Sequence, residues 1–308
     1  MAGADTVVLV GPTAVGKTAV ALALAEHWPI EVVSADSRQI YRGLDIATAA
    51  PTRRERDRVR HHLTGILAPG ERYSAGRFAL EAAEALADIR LRERMPLVVG
   101  GSGLYIRALV DGLFAEPPLD RPRRTALAGF MATLDNATLV RWAARLDATM
   151  PPGGGRQRAT RAIEIAILTG RSLGWWQRAA AVQGVITPWT VRLTVPRAVL
   201  HQRIQARAAE MVRRGLVEEV AAALADGAPL SGPGMDGIGV REAVDVLQGR
   251  LAREELVARI ALATRQYAKR QETWFRNQSK GPVLVLDATT PPDRLASMIV
   301  TAFEERTP

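Results

Sequence analysis

Cysteine is absent from all 308 residues. That excludes a disulfide framework and any thiolate metal site. Histidine is scarce, with four scattered residues, too few and too dispersed for a structural zinc site. Long apolar runs are also missing. The stretch Val7–Val10 is short, and Met1–Asp5 carries no basic region. Neither a signal-peptide core nor a membrane span fits there, so a cytoplasmic protein without membrane contact is expected. Lysine is rare: 38 of the 41 basic residues are arginines. No internal repeat and no long low-complexity run breaks the chain.

What is present suits a folded enzyme-sized chain. Hydrophobic residues make up 47% and charged residues 24%, enough for a sizeable core. The net charge of +9 fits a polyanionic partner, although a plain basic enzyme fits equally.

The order of elements predicts an α/β fold. Thr6–Val10 reads as a buried strand ending at Gly11, and Thr18–His27 as a helix stopped by Pro29. Ile30–Ala35 is a second strand. Asp36–Pro51 lacks periodicity and reads as a functional loop. Ser74 can cap a helix of about 20 residues running to Met95. Leu97–Val99 is a third strand, and a Gly-rich turn, Gly100-Gly101-Ser102-Gly103, leads into another helix. Strand–helix alternation of this kind predicts a parallel sheet covered by helices. From Pro117 and Pro118 onward the pattern becomes purely helical, broken only at Pro151–Gly155. Strand character returns at Val191–Val195, helices run from Arg197 to about Trp274, and Pro282–Asp287 is a late strand. The expected organisation is therefore an α/β core of residues 1–117 and 188–308, with a helical insertion at 118–187.

Gly11-Pro12-Thr13-Ala14-Val15-Gly16-Lys17-Thr18 fits the phosphate-loop pattern G-x-x-x-x-G-K-[ST] completely. The glycines let backbone N–H groups turn toward phosphate oxygens. The helix that follows aims its positive end at the anion. Lys17 supplies a mobile charge, and the Thr18 hydroxyl is placed for Mg²⁺. The pattern predicts a bound diphosphate or triphosphate without naming its carrier. Many P-loop enzymes end a hydrophobic strand in an Asp for the metal. Here that strand runs into Gly100-Gly101, and the acid is Asp36, after strand two. Strand carboxyl ends line the crevice of an open α/β sheet. Asp36 is thereby placed to bind Mg²⁺ through water or to accept a proton from a second substrate.

Taken in order, the motifs resemble those of the tRNA dimethylallyltransferases, also called tRNA isopentenyltransferases. After the P-loop comes Ala35-Asp36-Ser37-Arg38-Gln39-Ile40-Tyr41-Arg42-Gly43-Leu44-Asp45-Ile46, similar to the family's ADS-x-Q-x-Y-x-G-x-DI run. Leu97–Arg107 (LVVGGSGLYIR) resembles its LVGGTGLY segment, and Arg161-Ala162-Ile163-Glu164 its R-A-L-E. Arg203, Arg207, Met211 and Gly215-Leu216 match a further spaced set, as do Ala263–Gln271 and Trp274-Phe275-Arg276. Three departures stand out. Ser102 replaces a Thr but keeps the hydroxyl. Gly153-Gly154-Gly155 stands where Asn-Asp commonly precedes the arginine run. Val240 replaces a Tyr. The zinc finger of eukaryotic members is not seen, so the resemblance is to the bacterial form.

The resemblance implies a P-loop-type α/β fold and transfer of a dimethylallyl group from dimethylallyl diphosphate to N6 of the adenosine 3′-adjacent to the anticodon. It implies Mg²⁺ as cofactor and the tRNA anticodon stem-loop as partner, with the protein acting as a monomer. Catalytic roles fall to Asp36, Ser102 and Lys17, with Arg207 joining residues 11–18 on the diphosphate. Contacts to tRNA are expected from Asp36, Ser37, Arg38, Gln39, Ser102, Arg124, Gln157, Arg158, Ala159, Thr160 and Arg161, and from Gly237-Ile238-Gly239-Val240-Arg241. The residues suit that chemistry: a leaving diphosphate needs cations, and a weakly nucleophilic adenine amine needs a proton acceptor.

Several side chains have plainer readings. Ser102 serves equally as a helix N-cap. Trp175 and Trp176 can stack on bases, but core packing is favoured for both. Arg53–His62, with five arginines against Glu55 and Asp57, reads as a solvated helix face. Two rival functions also fit parts of the sequence: a P-loop small-molecule kinase using ATP, and a non-enzymatic RNA-binding protein with a relic P-loop. Intact Lys17, Thr18 and Asp36 argue against the second.

Overall fold

The computed structural model describes residues 6–114, 117–150, 155–278 and 281–306. The expected break at Pro151–Gly154, including two glycines of the departure before the arginine run, lies outside the described residues. Two compact units emerge: Met1–Val110 with Val185–Pro308, and Asp111–Gly184. Sequence placed the turning points slightly later in the chain, at 117 and 188.

The first unit opens with β1 (Thr6–Val10), every residue of which is buried. The P-loop follows, then α1 (Lys17–Leu24). This helix is shorter than expected because the chain tightens after it: Glu26 N and His27 N bond back three residues, to Ala23 O and Leu24 O. β2 (Ile30–Ala35) follows. The expected loop Asp36–Pro51 contains one helical turn, α2 (Asp45–Thr48). α3 (Arg53–Arg58) is a short, largely solvated helix begun by a Thr52/Glu55 capping box. Beyond it His61–His62 form β3, too short to leave a periodic signal. Ser74 caps α4 (Ala75–Leu91) as expected. That helix stops short of Met95 because Glu93 takes a left-handed φ of 55° and Met95 N joins Pro29 O, starting β4 (Met95–Gly100). α5 (Gly103–Val110) closes this half.

The second unit is helical: α6 (Arg121–Ala132), α7 (Asn136–Leu146), α8 (Arg156–Thr169) and α9 (Leu173–Ala179). Side chains of Asp120, Asp135 and Ser172 cap three of them. Its small core gathers Met131, Leu139, Ala143, Ala159, Ala162 and Ile163.

The first unit resumes with β5 (Pro188–Thr194), α10 (Arg197–Arg213), α11 (Leu216–Ala225) and α12 (Val240–Leu247). The long α13 (Leu256–Gln278), β6 (Val283–Asp287) and α14 (Pro292–Glu304) complete it. The strands form one six-stranded sheet in the order β3-β2-β4-β1-β5-β6, with every pairing parallel. Alternate residues Val7, Leu9, Val191 and Leu193 pack with Leu24 of α1 and Leu295 of α14, the period-2 pattern of one sheet face. A separate core joins α10, α11, α12 and α13 through Leu200, Ile204, Val220, Ala243 and Ile260. Among the described residues, no helix is long and apolar enough to cross a membrane.

Strand register aligns three loops. Val10 pairs with Gly100, and Gly100 with Ala35, so the P-loop, the Gly101 turn and Asp36 leave the sheet side by side. The approach is close: a Cβ on Gly100 would lie 2.1 Å from Ala35 O. Only glycine fits at position 100 of that row.

Candidate active site

A cavity of about 950 Å³ lies in the first unit, lined by Thr13–Val20, Asp36, Arg38, Gln39, Arg207, Gly237, Ile238, Val240 and Arg241 among others. Most of the expected site residues of this unit therefore meet around one space. Its lining holds six cationic side chains, Lys17, Arg38, Arg203, Arg207, Arg241 and Arg270, against Asp36, Glu55 and Asp236. A surplus of positive charge in a recess favours a multiply charged anion.

The P-loop takes the backbone its sequence requires. Gly16 has φ 112° at the N-terminus of α1, a conformation L side chains rarely adopt. Lys17 Nζ donates to Gly11 O and Pro12 O, both at 2.9 Å. Its pKa is pushed down to about 8, chiefly by loss of water; Arg207 adds to the fall and Asp36 opposes it. The Arg207 guanidinium is lowered too, by burial first, with Asp36 again opposing. Asp36 is thus the acid that both cations feel.

Asp36 sits just past β2 and accepts from Arg38 N through Oδ1 at 2.8 Å. This turn holds one carboxylate oxygen and leaves the group at the cavity wall. Tyr267 of α13 faces the same space. Burial first, and then the Asp36 charge, push its phenol up to about 12.

Among the described residues, no group of three or more acids or histidines could hold a metal ion. Mg²⁺, however, is commonly held by one or two side chains plus substrate phosphates. The Thr18 hydroxyl and the Asp36 carboxylate, both on the cavity, fit that pattern.

Other expected residues are already engaged. Ser102 is buried. Its Oγ accepts from Ser37 N at 2.9 Å, donates to Ser37 Oγ at 3.2 Å, and is hydrogen-bonded to Tyr267. It ties the Gly-rich turn to the Asp36 loop. Gln39 accepts from Ser34 Oγ and donates to Ala49 O. Arg38 donates to Pro233 O at 2.9 Å and pairs with Asp236. In the segment Gly237–Arg241, Gly239 N donates to the Glu242 carboxylate, and the Arg241 side chain is exposed.

Arg124 and the segment Gln157–Arg161 belong to the helical unit. Arg124 and Arg161 both grip the buried carboxylate of Glu164. Gln157 and Arg158 are exposed, Ala159 is in the core, and Thr160 donates to Gln157 O. The core placement of both tryptophans is corrected. Trp176 donates to Thr169 Oγ1, but Trp175 is 38% exposed, with the Arg171 guanidinium 5.2 Å over its ring.

Sequence reasoning passed over two braces of the P-loop. Arg203 donates to Val15 O at 2.9 Å and to Ala288 O at 2.8 Å. Gln271 accepts from Thr13 N at 2.8 Å and donates to Gly101 O at 2.9 Å. Both stand in the motif series already noted, which was the signal available.

Comparison with known proteins agrees with this arrangement. Residues 39–278 match the family described as IPP transferase, and residues 4–65 match isopentenyl transferase. A tRNA dimethylallyltransferase of Halorhodospira halophila is 43% identical over 306 residues, covering 96% of each chain. One from Koribacter versatilis is 42% identical over 276 residues, covering 88% of this chain and 89% of its own. The solved tRNA isopentenylpyrophosphate transferase of Bacillus halodurans superposes with a TM-score of 0.70 at 33% identity, over 98% of both chains. A eukaryotic dimethylallyltransferase described as acting on tRNA gives a TM-score of 0.79 at 25% identity, over 98% of this chain and 80% of its own. With most of its length matched in sequence and fold, the chain belongs to the IPP transferase family, the tRNA dimethylallyltransferases.

Proposed function

We propose that this chain transfers the dimethylallyl group of dimethylallyl diphosphate to N6 of the adenosine 3′-adjacent to the anticodon of tRNA, giving N6-isopentenyladenosine. The observation that carries the reading is one cavity lined at once by the P-loop, Asp36 and Arg207. The diphosphate sits on the loop amides, Lys17 and Arg207. As the allylic C–O bond breaks, negative charge grows on the leaving diphosphate, and these cations neutralise it. The N6 lone pair forms the new C–N bond. The N6 proton passes to the free oxygen of Asp36, whose other oxygen is held by Arg38 N. Thr18 and Asp36 would hold Mg²⁺, which would supply further charge neutralisation there. Ser102 and Ser37 set the Asp36 loop against the Gly-rich turn.

The adenine must leave its stack to enter the cavity, at a cost of a few kcal/mol that a loop reduces. Exposed Arg241 on the cavity, and Gln157 and Arg158 on the helical unit, are free to meet RNA. The enzyme works as a cytoplasmic monomer in this reading. Neither rival, the ATP-dependent kinase or the relic P-loop binder, is favoured by the family match.

The test is direct. Incubation with dimethylallyl diphosphate, Mg²⁺ and total tRNA should yield isopentenyladenosine by mass spectrometry of nucleosides. No product, with ATP-dependent phosphorylation of a small molecule in its place, would overturn the reading.

A further inference from the structure

The face of α13 turned toward the P-loop repeats at helical spacing. Tyr267 is hydrogen-bonded to Ser102. Four residues on, Gln271 donates to Gly101 O. Three further, Trp274 lies so close to Gly103 that an added Cβ would fall 2.3 Å from the indole. One helix face therefore reads three consecutive residues of the turn that follows β4. Of these side chains Gln271 reaches farthest, because its other end accepts from Thr13 N, 258 residues away in sequence.

We infer that Gln271 is a positioning residue: its carboxamide straps the P-loop to the Gly101 turn and thereby sets where the diphosphate rests. The inference depends on the prenyl-diphosphate reading of the cavity. The residue is 5% exposed, so each end of its amide must find a partner in the protein. The carbonyl end takes Thr13 N–H out of the set of amides that can face a phosphate. With Val15 N already donating to Pro12 O, the amides of Ala14 and of Gly16 to Thr18 are then the ones available to the anion. The NH₂ end fixes the spacing between β1 and β4 beyond their last paired residues, Val10 and Gly100. A shift of the loop relative to Asp36 would misalign leaving group and proton acceptor, and such misplacement is costly in rate. Among uncharged side chains of this length, only Gln offers a donor and an acceptor together; Asn is one carbon short.

The experiment uses two variants of the full-length chain. Gln271→Met keeps length and apolar packing but loses both bonds. Gln271→Glu keeps the acceptor for Thr13 N–H, and it can donate to Gly101 O only when protonated. Each is assayed for KM of dimethylallyl diphosphate and of tRNA from acid to alkaline pH. Inorganic pyrophosphate is titrated calorimetrically, and melting is followed by circular dichroism. We expect Gln271→Met to weaken pyrophosphate binding and raise the prenyl-diphosphate KM about tenfold or more, the scale of a lost buried hydrogen bond. The tRNA KM should move less than about twofold, within the scatter of an untouched contact. Gln271→Glu should be impaired at neutral pH and recover toward wild type as the pH falls. If Gln271→Met does not fold, that acid recovery decides alone. Unchanged pyrophosphate affinity and an unaltered pH profile would overturn the inference. So would equal loss for both substrates together with a lowered melting temperature, which marks core support only. Failure of the wild-type enzyme to use dimethylallyl diphosphate would refute the functional reading instead, and the pyrophosphate titration would still judge the strap.

Discussion

Lys17 donates to the carbonyl oxygen of Gly11 at 2.9 Å, folding its ammonium back over the loop that precedes it. Among the described residues no carboxylate bonds it directly; its partners are the two carbonyls of Gly11 and Pro12. An arriving diphosphate offers charged oxygens in exchange for neutral ones, which favours the charged lysine.

That exchange has a pH signature. Burial pushes the Lys17 pKa down to about 8, and a bound diphosphate would raise it again. Diphosphate binding should therefore take up a proton, and affinity should fall as pH rises through about 8. Calorimetry in two buffers of different ionisation enthalpy reads the uptake, with Lys17→Met as the reference that lacks it. Lys17→Ala should bind prenyl diphosphate weakly and turn over little while staying folded. Normal kinetics in that variant would sink the P-loop assignment.

Asp36→Asn preserves an acceptor for Arg38 N and removes the charge and basicity. The expected result is a fall in kcat of about 10²-fold or more, the scale of a positioned proton acceptor. Binding of either substrate should change far less. Single-turnover rates should show the same loss. A shift confined to the Mg²⁺ requirement would make Asp36 a metal-shell group instead.

The arginines assigned to tRNA divide by their engagement. Arg158 and Arg241 are exposed, so neutralising either should raise the tRNA KM and flatten its salt dependence without lowering the melting temperature. Arg124 and Arg161 share the buried Glu164. Arg124→Ala should cost about 1–3 kcal/mol of stability, because a desolvated carboxylate loses a partner. Denaturant titration measures it; an unchanged midpoint with a raised tRNA KM would return Arg124 to the RNA-contacting set.

Gly100→Ala tests the alignment of the three loops. The new Cβ would meet backbone, Ala35 O at 2.1 Å, and backbone cannot step aside as a side-chain tip can. A loss of about 3 kcal/mol or more, or failure to fold, is expected. A thermal melt within a few degrees of wild type would contradict the register described here.

Legibility in the sequence followed the range of the interaction. The P-loop, strands β1 and β2, and the Ser74 cap are local patterns, and each was readable from consecutive residues. Asp36 could be placed because one strand end implies one rim of the sheet. Gln271 and Arg203 could not be given roles, because their bonds reach Thr13 and Val15 across most of the chain. Nothing in the neighbouring residues distinguishes such a side chain from an ordinary polar one on a helix. The pairing of Arg161 with Glu164 spans only three residues and was within reach of helical spacing rules. The exposure of Trp175 was not, since it depends on how α9 is seated in its unit.

The sheet order also bears on how the molecule comes to be folded. β1 leaves the ribosome before the other strands of its sheet, yet one of its two neighbours, β5, is synthesised about 180 residues later. The helical unit, built from contacts close in sequence, is complete before that neighbour exists. Until β5 arrives, one edge of the most apolar strand is open to any other extended chain. Nascent β1 is accordingly a natural stretch for chaperone protection, and slowing translation between residues 111 and 187 should lengthen that exposure.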